Sequence, residues 1–255
     1  MWTRVEIKER AKDVLRKGYW KAFLVSLIIL IVGGSSNGSS SSNWRSEGQI
    51  DIDPQLLLGI IIGVGLFAVF AILFRIFIGS VIEVGGRKFF IQADSSEPNI
   101  NHVMSGFKNG YGNTVLTMFY RAILLIGWFL LLIIPGIIKS YAYTFVPYIL
   151  ADNPDIKPSR AIEMSNQMTN GHKFDMFVLD LSFIGWYLLG GLALGIGVLF
   201  VNPYRDATMA QLYLKLRQGA IDGNITSYNE LNLIPVEAGS VESDEWKSVF
   251  DRDEY

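Results

Sequence analysis

The sequence predicts an all-α, polytopic transmembrane helix bundle of about six spans, arranged as three hairpins behind a short amphipathic helix. Three observations predict this class. Half of the 255 residues are hydrophobic, these residues are clustered into long runs, and one apolar stretch has an echo later in the chain. A spanning helix needs about 20 apolar residues, and several of the runs approach that length.

Residues 1–18 predict a basic amphipathic helix on the cytoplasmic side. Thr3 and Glu6 form a capping box, in which both side chains satisfy the first amide donors of a helix. The apolar face comprises Ile7, Ala11, Val14 and Leu15. Such a helix is expected to lie on anionic lipids at the membrane surface. The alternative is a solvated helix that only leads into the first span.

The transmembrane domain is predicted over 19–217, followed by an acidic cytoplasmic tail over 218–255 that is too highly charged to fold alone. A Gly/Ser-rich stretch at 33–55 predicts a flexible outer loop. Basic residues dominate the start of the chain, which predicts a cytoplasmic N-terminus, and an even number of spans returns the C-terminus to the same side. The predicted spans are 20–33, 56–82, 114–134, 137–151, 175–189 and 192–214.

The corner of the middle hairpin is predicted at Pro135 and Gly136. A continuous helix over 114–150 would be about 55 Å long, nearly twice the thickness of the hydrocarbon layer. Proline followed by glycine is a strong turn signal, and Lys139 beside it suits the outer interface.

An internal echo supports the hairpins. Residues 126–131 are IGWFLL and residues 184–189 are IGWYLL, while FVPY at 145–148 is matched by FVNPY at 200–204. The shared order and near-equal spacing indicate two copies of one helical hairpin.

Three segments together resemble a known family. They are GYWKAFLVSLI at 18–28, IPGIIKSYAYTFVPYILADNP at 134–154 and GHKFDMFVLDLSFIGW at 171–186. This combination resembles the integral membrane proteins of the domain-of-unknown-function 975 family, over roughly residues 3 to 217. The resemblance implies a multi-pass protein of the bacterial inner membrane, but no activity, ligand or catalytic residue.

Charged residues inside spans cost free energy on insertion and therefore call for an explanation. Arg121 and Asp180 lie at similar depth in equivalent parts of the two hairpins, which predicts an intramembrane ion pair. On the repeat, Pro203 falls near the membrane midplane and would break the last span there, where broken helices make transporter binding sites. The alternative, favoured by the adjacent charges of Arg205 and Asp206, is that this segment lies at the cytoplasmic boundary of a shifted span. This candidate helix break and binding site comprises Asn202, Pro203, Tyr204, Arg205 and Asp206.

Motifs for chemistry are absent from the sequence. There is no cysteine, no nucleotide-binding or metalloprotease motif, and no catalytic, cofactor-binding or metal site is predicted. The expected protein is therefore a non-enzymatic membrane scaffold or accessory protein in envelope or lipid homeostasis. The alternative is a small transporter or permease component that uses polar residues in spans 3, 5 and 6. Expected partners are the lipid bilayer and either another protein or a second copy of the chain, without cofactors or nucleic acid.

Overall fold

The computed structural model describes residues 3–29, 54–95, 99–108, 110–192 and 196–233. Within these residues every regular element is a helix, so the predicted all-α class is confirmed there. The α-helices are α1 (Arg4–Ile28), α2 (Pro54–Phe74), α3 (Ser80–Ser95), α4 (Ser105–Lys108), α5 (Tyr111–Leu131), α6 (Ile133–Ala142), α7 (Val146–Asp152), α8 (Pro158–Met168), α9 (Lys173–Leu192) and α10 (Ile196–Asp222). A π-helical turn, Arg75–Gly79, joins α2 to α3, and a 3-10 turn, Ile100–Met104, precedes α4.

Among the described residues, four helical segments are long and apolar enough to cross a membrane. They are Ile62–Ser95, Tyr111–Leu131, Ile133–Asp152 and Lys173–Leu192. The six-span count is not reproduced by this criterion, since neither α1 nor α10 is among the four. Most of the predicted outer loop 33–55 and the end of the first predicted span lie outside the described residues.

The apolar face of the N-terminal helix α1, which was expected to lie on the membrane surface, packs against another helix of the protein. The Thr3 side chain accepts a hydrogen bond from the Glu6 amide at 3.3 Å, as a capping residue does. Helix α1 then packs along α10, and Ile7 and Ala11 are 1% and 0% exposed. The predicted membrane-surface placement of this face is therefore wrong, because α10 covers it. The predicted stop at Gly18 is a kink inside a longer helix.

Helices α3, α7 and α10 pack together at the centre of the described structure. All of α7 from Val146 to Ala151 is buried. The rings of Phe145, Tyr148 and Tyr213 form one aromatic cluster, with centroids 5.2–5.7 Å apart. This cluster fixes α7 against α10, so polar groups on both helices are held in fixed positions.

Helices α5 and α6 form the middle hairpin. The corner is Leu132, whose backbone is extended, and Pro135 and Gly136 lie in the first turn of α6, three and four residues beyond it. A Cβ atom at Gly136 would lie 2.5 Å from the Phe129 ring. Glycine at this position therefore permits the close approach of the two helices.

The last hairpin, α9 and α10, differs from the middle hairpin in its second helix. Helix α10 runs unbroken through Pro203, so the predicted helix break there is wrong. Proline disturbs the carbonyls of the preceding turn, and one of them, on Phe200, accepts a hydrogen bond from the Tyr19 hydroxyl at 3.4 Å. In the middle hairpin, by contrast, the segment after the corner is interrupted between α6 and α7, and Pro147 lies in the first turn of α7.

The chain after α10 packs against the helices as far as it is described, to Leu233. Leu231 is fully buried, and Thr226 is 7% exposed. The prediction of an unfolded tail over 218–255 is therefore wrong for 218–233, because this part packs against the helices. Residues 234–255 lie outside the described residues.

Candidate functional site

A cleft of about 1030 Å³ lies between α5 and α9. Its inner end contains buried residues such as Tyr148 and Met209, whereas Phe119, Ile123 and Leu181 are exposed at its mouth. We call it the charged cleft, because ionisable side chains from five parts of the fold line it: Arg75, Glu83, Arg87, Arg121, Asp180 and Arg205.

Arg87 is tied to α10 and α1 through Asp206. Its Nη1 donates to Asp206 Oδ1 at 2.7 Å, and the Ser26 hydroxyl donates to Asp206 Oδ2 at 2.6 Å. The guanidinium also lies over the Tyr148 ring, 5.3 Å from its centroid. Three helices therefore share one carboxylate, which neutralises Arg87 at the inner end of the cleft.

Asp180 is paired with Arg205 on the neighbouring helix of its own hairpin. The guanidinium approaches Asp180 Oδ1 at 3.0–3.1 Å, and the Tyr141 hydroxyl donates to Oδ2 at 3.2 Å. These contacts fix α9 to α10 and to α6. Both charges of this pair are compensated within the described structure.

Arg121 is held much more loosely. Its Nη1 lies 4.0 Å from Glu83 Oε1, which is also 3.9 Å from Arg87. Its Nε is buried without a hydrogen-bond partner, and the side chain donates no hydrogen bond to any described residue. Glu83 is shared between the guanidinium groups of Arg87 and Arg121. Arg87 also has Asp206, so the charge of Arg121 is the less well compensated.

The predicted ion pair between Arg121 and Asp180 is therefore wrong. Both residues line the same cleft, as their equivalent positions suggested, but Arg121 is on α5 and is nearest to Glu83, whereas Asp180 is on α9 and is paired with Arg205. Arg205 belongs to the neighbouring helix α10, which packs backbone to backbone against α9 near Gly190 and Gly197.

The predicted site around Pro203 is divided between several roles. Arg205 lines the cleft, and Asp206 anchors Arg87. Asn202 accepts a hydrogen bond from the Tyr187 hydroxyl at 3.2 Å, while the Tyr204 ring packs edge-on against Phe183. These residues therefore contribute to the site from an intact helix.

Glu83 and Arg87 are the residues that sequence reasoning missed. They fall in a stretch predicted to be a cytoplasmic loop, whereas α3 continues to Ser95. The four-residue spacing of an acid and a base is a helical signal, and it was available in the sequence.

The cleft has the composition of an anion site. Four arginines line it, against the carboxylates of Glu83 and Asp180 in the lining and that of Asp206 just behind. Arginine forms paired, charge-assisted hydrogen bonds with carboxylate and phosphate groups. The described residues contain no cluster of three or more His, Cys, Asp or Glu side chains that would hold a metal ion.

A second polar cluster, the C-terminal clasp, lies on α8 and the segment after α10. Arg160 donates to both carboxylate oxygens of Glu230 at 2.7 and 3.1 Å and to the Ile225 carbonyl at 2.6 Å. The hydrogen bond from Arg160 lowers the pKa of Glu230 below its ordinary value and raises the pKa of Arg160. Asn153 completes the clasp by donating to the Glu230 carbonyl at 2.9 Å.

Fold and site together define a class. Four apolar helices of spanning length indicate a membrane protein, and the charged cleft lies between them. Residues 111–220 match the family described as a protein of unknown function, DUF975. The match runs from the start of α5 almost to the end of α10, which is shorter than the predicted resemblance over 3–217. No curated protein and no solved structure matches the chain.

Proposed function

We propose that the protein is a small membrane transporter, or the membrane component of one, that binds an anionic solute in the charged cleft. The observation that carries this proposal is the Arg121 guanidinium. It lies halfway along an apolar helix, lines the cleft and donates no hydrogen bond to a described residue. A charge at such a depth costs about 2.5–3.5 kcal/mol on insertion scales, and a bound anion would offset that cost.

The neighbouring charges support the same function. Arg87 and Arg205 are held by Asp206 and Asp180 at 2.7–3.1 Å, so they are oriented before any solute enters. Preorganised donors lower the entropic cost of binding. The large half-open volume between α5 and α9 leaves space beside these groups.

The scaffold function expected from the sequence is the second candidate. Helix α2 favours it, since its large apolar side chains are exposed on the described structure, with Leu66 67%, Phe67 72% and Phe70 64% exposed. Such a surface would suit another helix or lipid. In that case the buried charges would serve packing alone.

The transport proposal is tested by charge movement. The full-length protein is reconstituted into zwitterionic liposomes on a solid-supported membrane, and a rapid concentration jump of inorganic phosphate or hexyl phosphate is applied. We expect a protein-dependent current with at least one probe, lost in Arg121→Gln. The matched control is Arg10→Gln, which removes an exposed guanidinium on α1 paired only to Glu6 at 3.8 Å.

Currents equal to those of protein-free liposomes with both probes would contradict the proposal. A current that survives in Arg121→Gln, measured on protein of normal abundance and melting temperature, would place the anion elsewhere and also contradict it. If there is no current and Arg121→Gln lowers only the abundance of the protein, the scaffold function is favoured instead.

A further inference from the structure

The charged cleft has apolar walls at its mouth. Side chains from two spanning helices form these walls, and they are 40–60% exposed: Phe119, Ile123, Ile126, Phe177, Leu181 and Ile184. Ile72 and Ile76, beside the π-helical turn, extend the same apolar lining. These residues belong to segments long and apolar enough to span a membrane, and in spanning helices such a mouth would open toward hydrocarbon.

Most of the charged groups lie in the interior of the cleft. Glu83 and Arg87 have side chains only 18% and 14% exposed, and Arg121 is 21% exposed. Arg75, between Ile72 and Ile76, is the exposed exception in the lining. A solute therefore meets apolar side chains and Arg75 first, and Arg121 and Arg87 last. A free anion would have to shed its water in an apolar passage before reaching Arg121, which is costly. A molecule with an apolar chain already in the bilayer would carry only its headgroup inward.

From this order of surfaces we infer that the ligand of the cleft is an anionic amphiphile that enters sideways from the bilayer. Its phosphate or carboxylate headgroup is bound by Arg121 beside Glu83 and Arg87. Its chain stays between the apolar walls of α5 and α9. This inference rests on the proposed function and names the chemical class of its solute.

The headgroup decides the affinity in this arrangement. A chain gains little when it moves from lipid into an apolar protein wall, because both surroundings are apolar. The guanidinium of Arg121, by contrast, exchanges a poorly compensated state for two charge-assisted hydrogen bonds to the headgroup. The cleft should therefore discriminate strongly between headgroups and weakly between chains of similar length.

The test uses the full-length protein in a neutral detergent. It is mixed with equal amounts of phosphatidylglycerol and phosphatidylcholine, and native mass spectrometry counts the lipids that remain bound. Both lipids carry a phosphate, but that of phosphatidylcholine is already offset by its own choline cation and pairs less well with an arginine. We therefore expect the wild type to retain phosphatidylglycerol about tenfold over phosphatidylcholine. Arg121→Gln should bind both lipids equally. Arg10→Gln should behave as the wild type, and it also reports on lipid held by the basic face of α1.

Equal retention of the two lipids by the wild type would overturn the inference. So would enrichment that survives Arg121→Gln or disappears in Arg10→Gln, since the lipid would then be bound outside the cleft. A separate arm measures thermal unfolding with inorganic phosphate alone. If phosphate stabilises the wild type but not Arg121→Gln, and phosphatidylglycerol is not enriched, the inference fails and the anion site of the proposed function stands. If neither ligand depends on Arg121, both fail.

A measurement on the unaltered chain covers the case in which Arg121→Gln does not fold. Phosphatidylglycerol with a diazirine in its acyl chain is photo-crosslinked in reconstituted vesicles, and the modified residues are located by mass spectrometry. We expect enrichment over the phosphatidylcholine analogue at Phe119, Ile123 or Ile184. At Phe67 and Phe70 of α2, which are exposed away from the cleft lining, the two lipids should crosslink equally. Equal crosslinking at the mouth as well would overturn the inference.

Discussion

At the scale of single residues, Asp206 is the acid on which the inner end of the cleft depends. It is 8% exposed and accepts hydrogen bonds from two different helices, through Arg87 and Ser26. A buried ion pair adds little net stability, but a buried charge without its partner is strongly unfavourable. Loss of the Asp206 carboxylate and loss of its Ser26 partner should therefore have very different effects on stability.

Replacing Asp206 by Asn should lower the free energy of unfolding by about 3 kcal/mol, because Arg87 would remain charged and buried. Ser26→Ala is the matched control, and it should cost only about 1 kcal/mol, the value of one hydrogen bond. Both are measured by chemical denaturation in mixed micelles. Equal losses in the two variants would show that Arg87 finds another carboxylate, and would contradict this account of the pair.

Sequence reasoning could single out these charges but could not pair them. Arg121, Asp180, Arg205 and Asp206 are visible as charges in apolar surroundings, and all four lie in or beside the cleft. Which acid meets which base depends on how each helix is rotated about its axis and how closely its neighbours pack. That information is carried by contacts between distant segments, such as α3 with α10, and no local pattern encodes it.

At the scale of elements, the α9–α10 hairpin depends on two glycines. A Cβ atom on Gly190 would lie 2.7 Å from the Val198 amide nitrogen, and one on Gly197 would lie 2.5 Å from the Gly190 Cα. Backbone atoms cannot move aside as a flexible side chain can. The same two helices carry Asp180 and Arg205, so one wall of the cleft depends on the close approach that these two glycines allow.

The Gly190→Ala variant should therefore destabilise the protein by about 1–3 kcal/mol, as overpacking does. Gly191→Ala provides the matched control, since no atom lies within 4 Å of a Cβ atom there, and alanine should be tolerated or stabilising in that helix. Melting temperatures of the full-length variants in detergent give the comparison. A melting temperature in Gly190→Ala equal to that in Gly191→Ala would contradict the close crossing.

The long apolar helices were predictable because their length and composition alone define them. The spans predicted over 114–134 and 175–189 correspond to α5 (Tyr111–Leu131) and α9 (Lys173–Leu192). The corner at Leu132 differs from the predicted one because proline is tolerated in the first turn of a helix. The proline therefore indicated that a turn lies nearby, but the turn itself is at Leu132, three residues earlier.

At the scale of the whole molecule, the C-terminal clasp joins the segment after α10 to α8 and to the loop after α7. Arg160 contacts Glu230 and Ile225, and Asn153 contacts Glu230, so the segment is fixed at both of its described turns. Nearby, Asp152 accepts hydrogen bonds from Tyr213 at 2.6 Å and Arg217 at 2.9 Å. The prediction of an unfolded tail rested on the number of charges in this segment. It could not take account of Arg160, which lies 70 residues earlier in the sequence and pairs with Glu230.

The clasp should open in acid. The pKa of Glu230 is lower in the folded protein than its ordinary value of 4.5, chiefly through the Arg160 hydrogen bond. A depressed folded pKa means that the contribution to stability is fully present above pH 4.5 and is lost as the pH falls through the lower, folded value. Since the chain has no cysteine, Asn229→Cys gives a unique site for a nitroxide spin label on this exposed turn.

The spectrum of that label should be that of an immobilised side chain at pH 7 and should become mobile as the pH falls below 4.5. In the background of Glu230→Gln the label should already be more mobile at pH 7, because an amide makes a weaker bond to Arg160, and the acid transition should disappear. That second variant separates Glu230 from the other carboxylates that titrate in the same range. An acid transition of equal size in the Glu230→Gln background would assign the pH dependence to another carboxylate and contradict this account of the clasp.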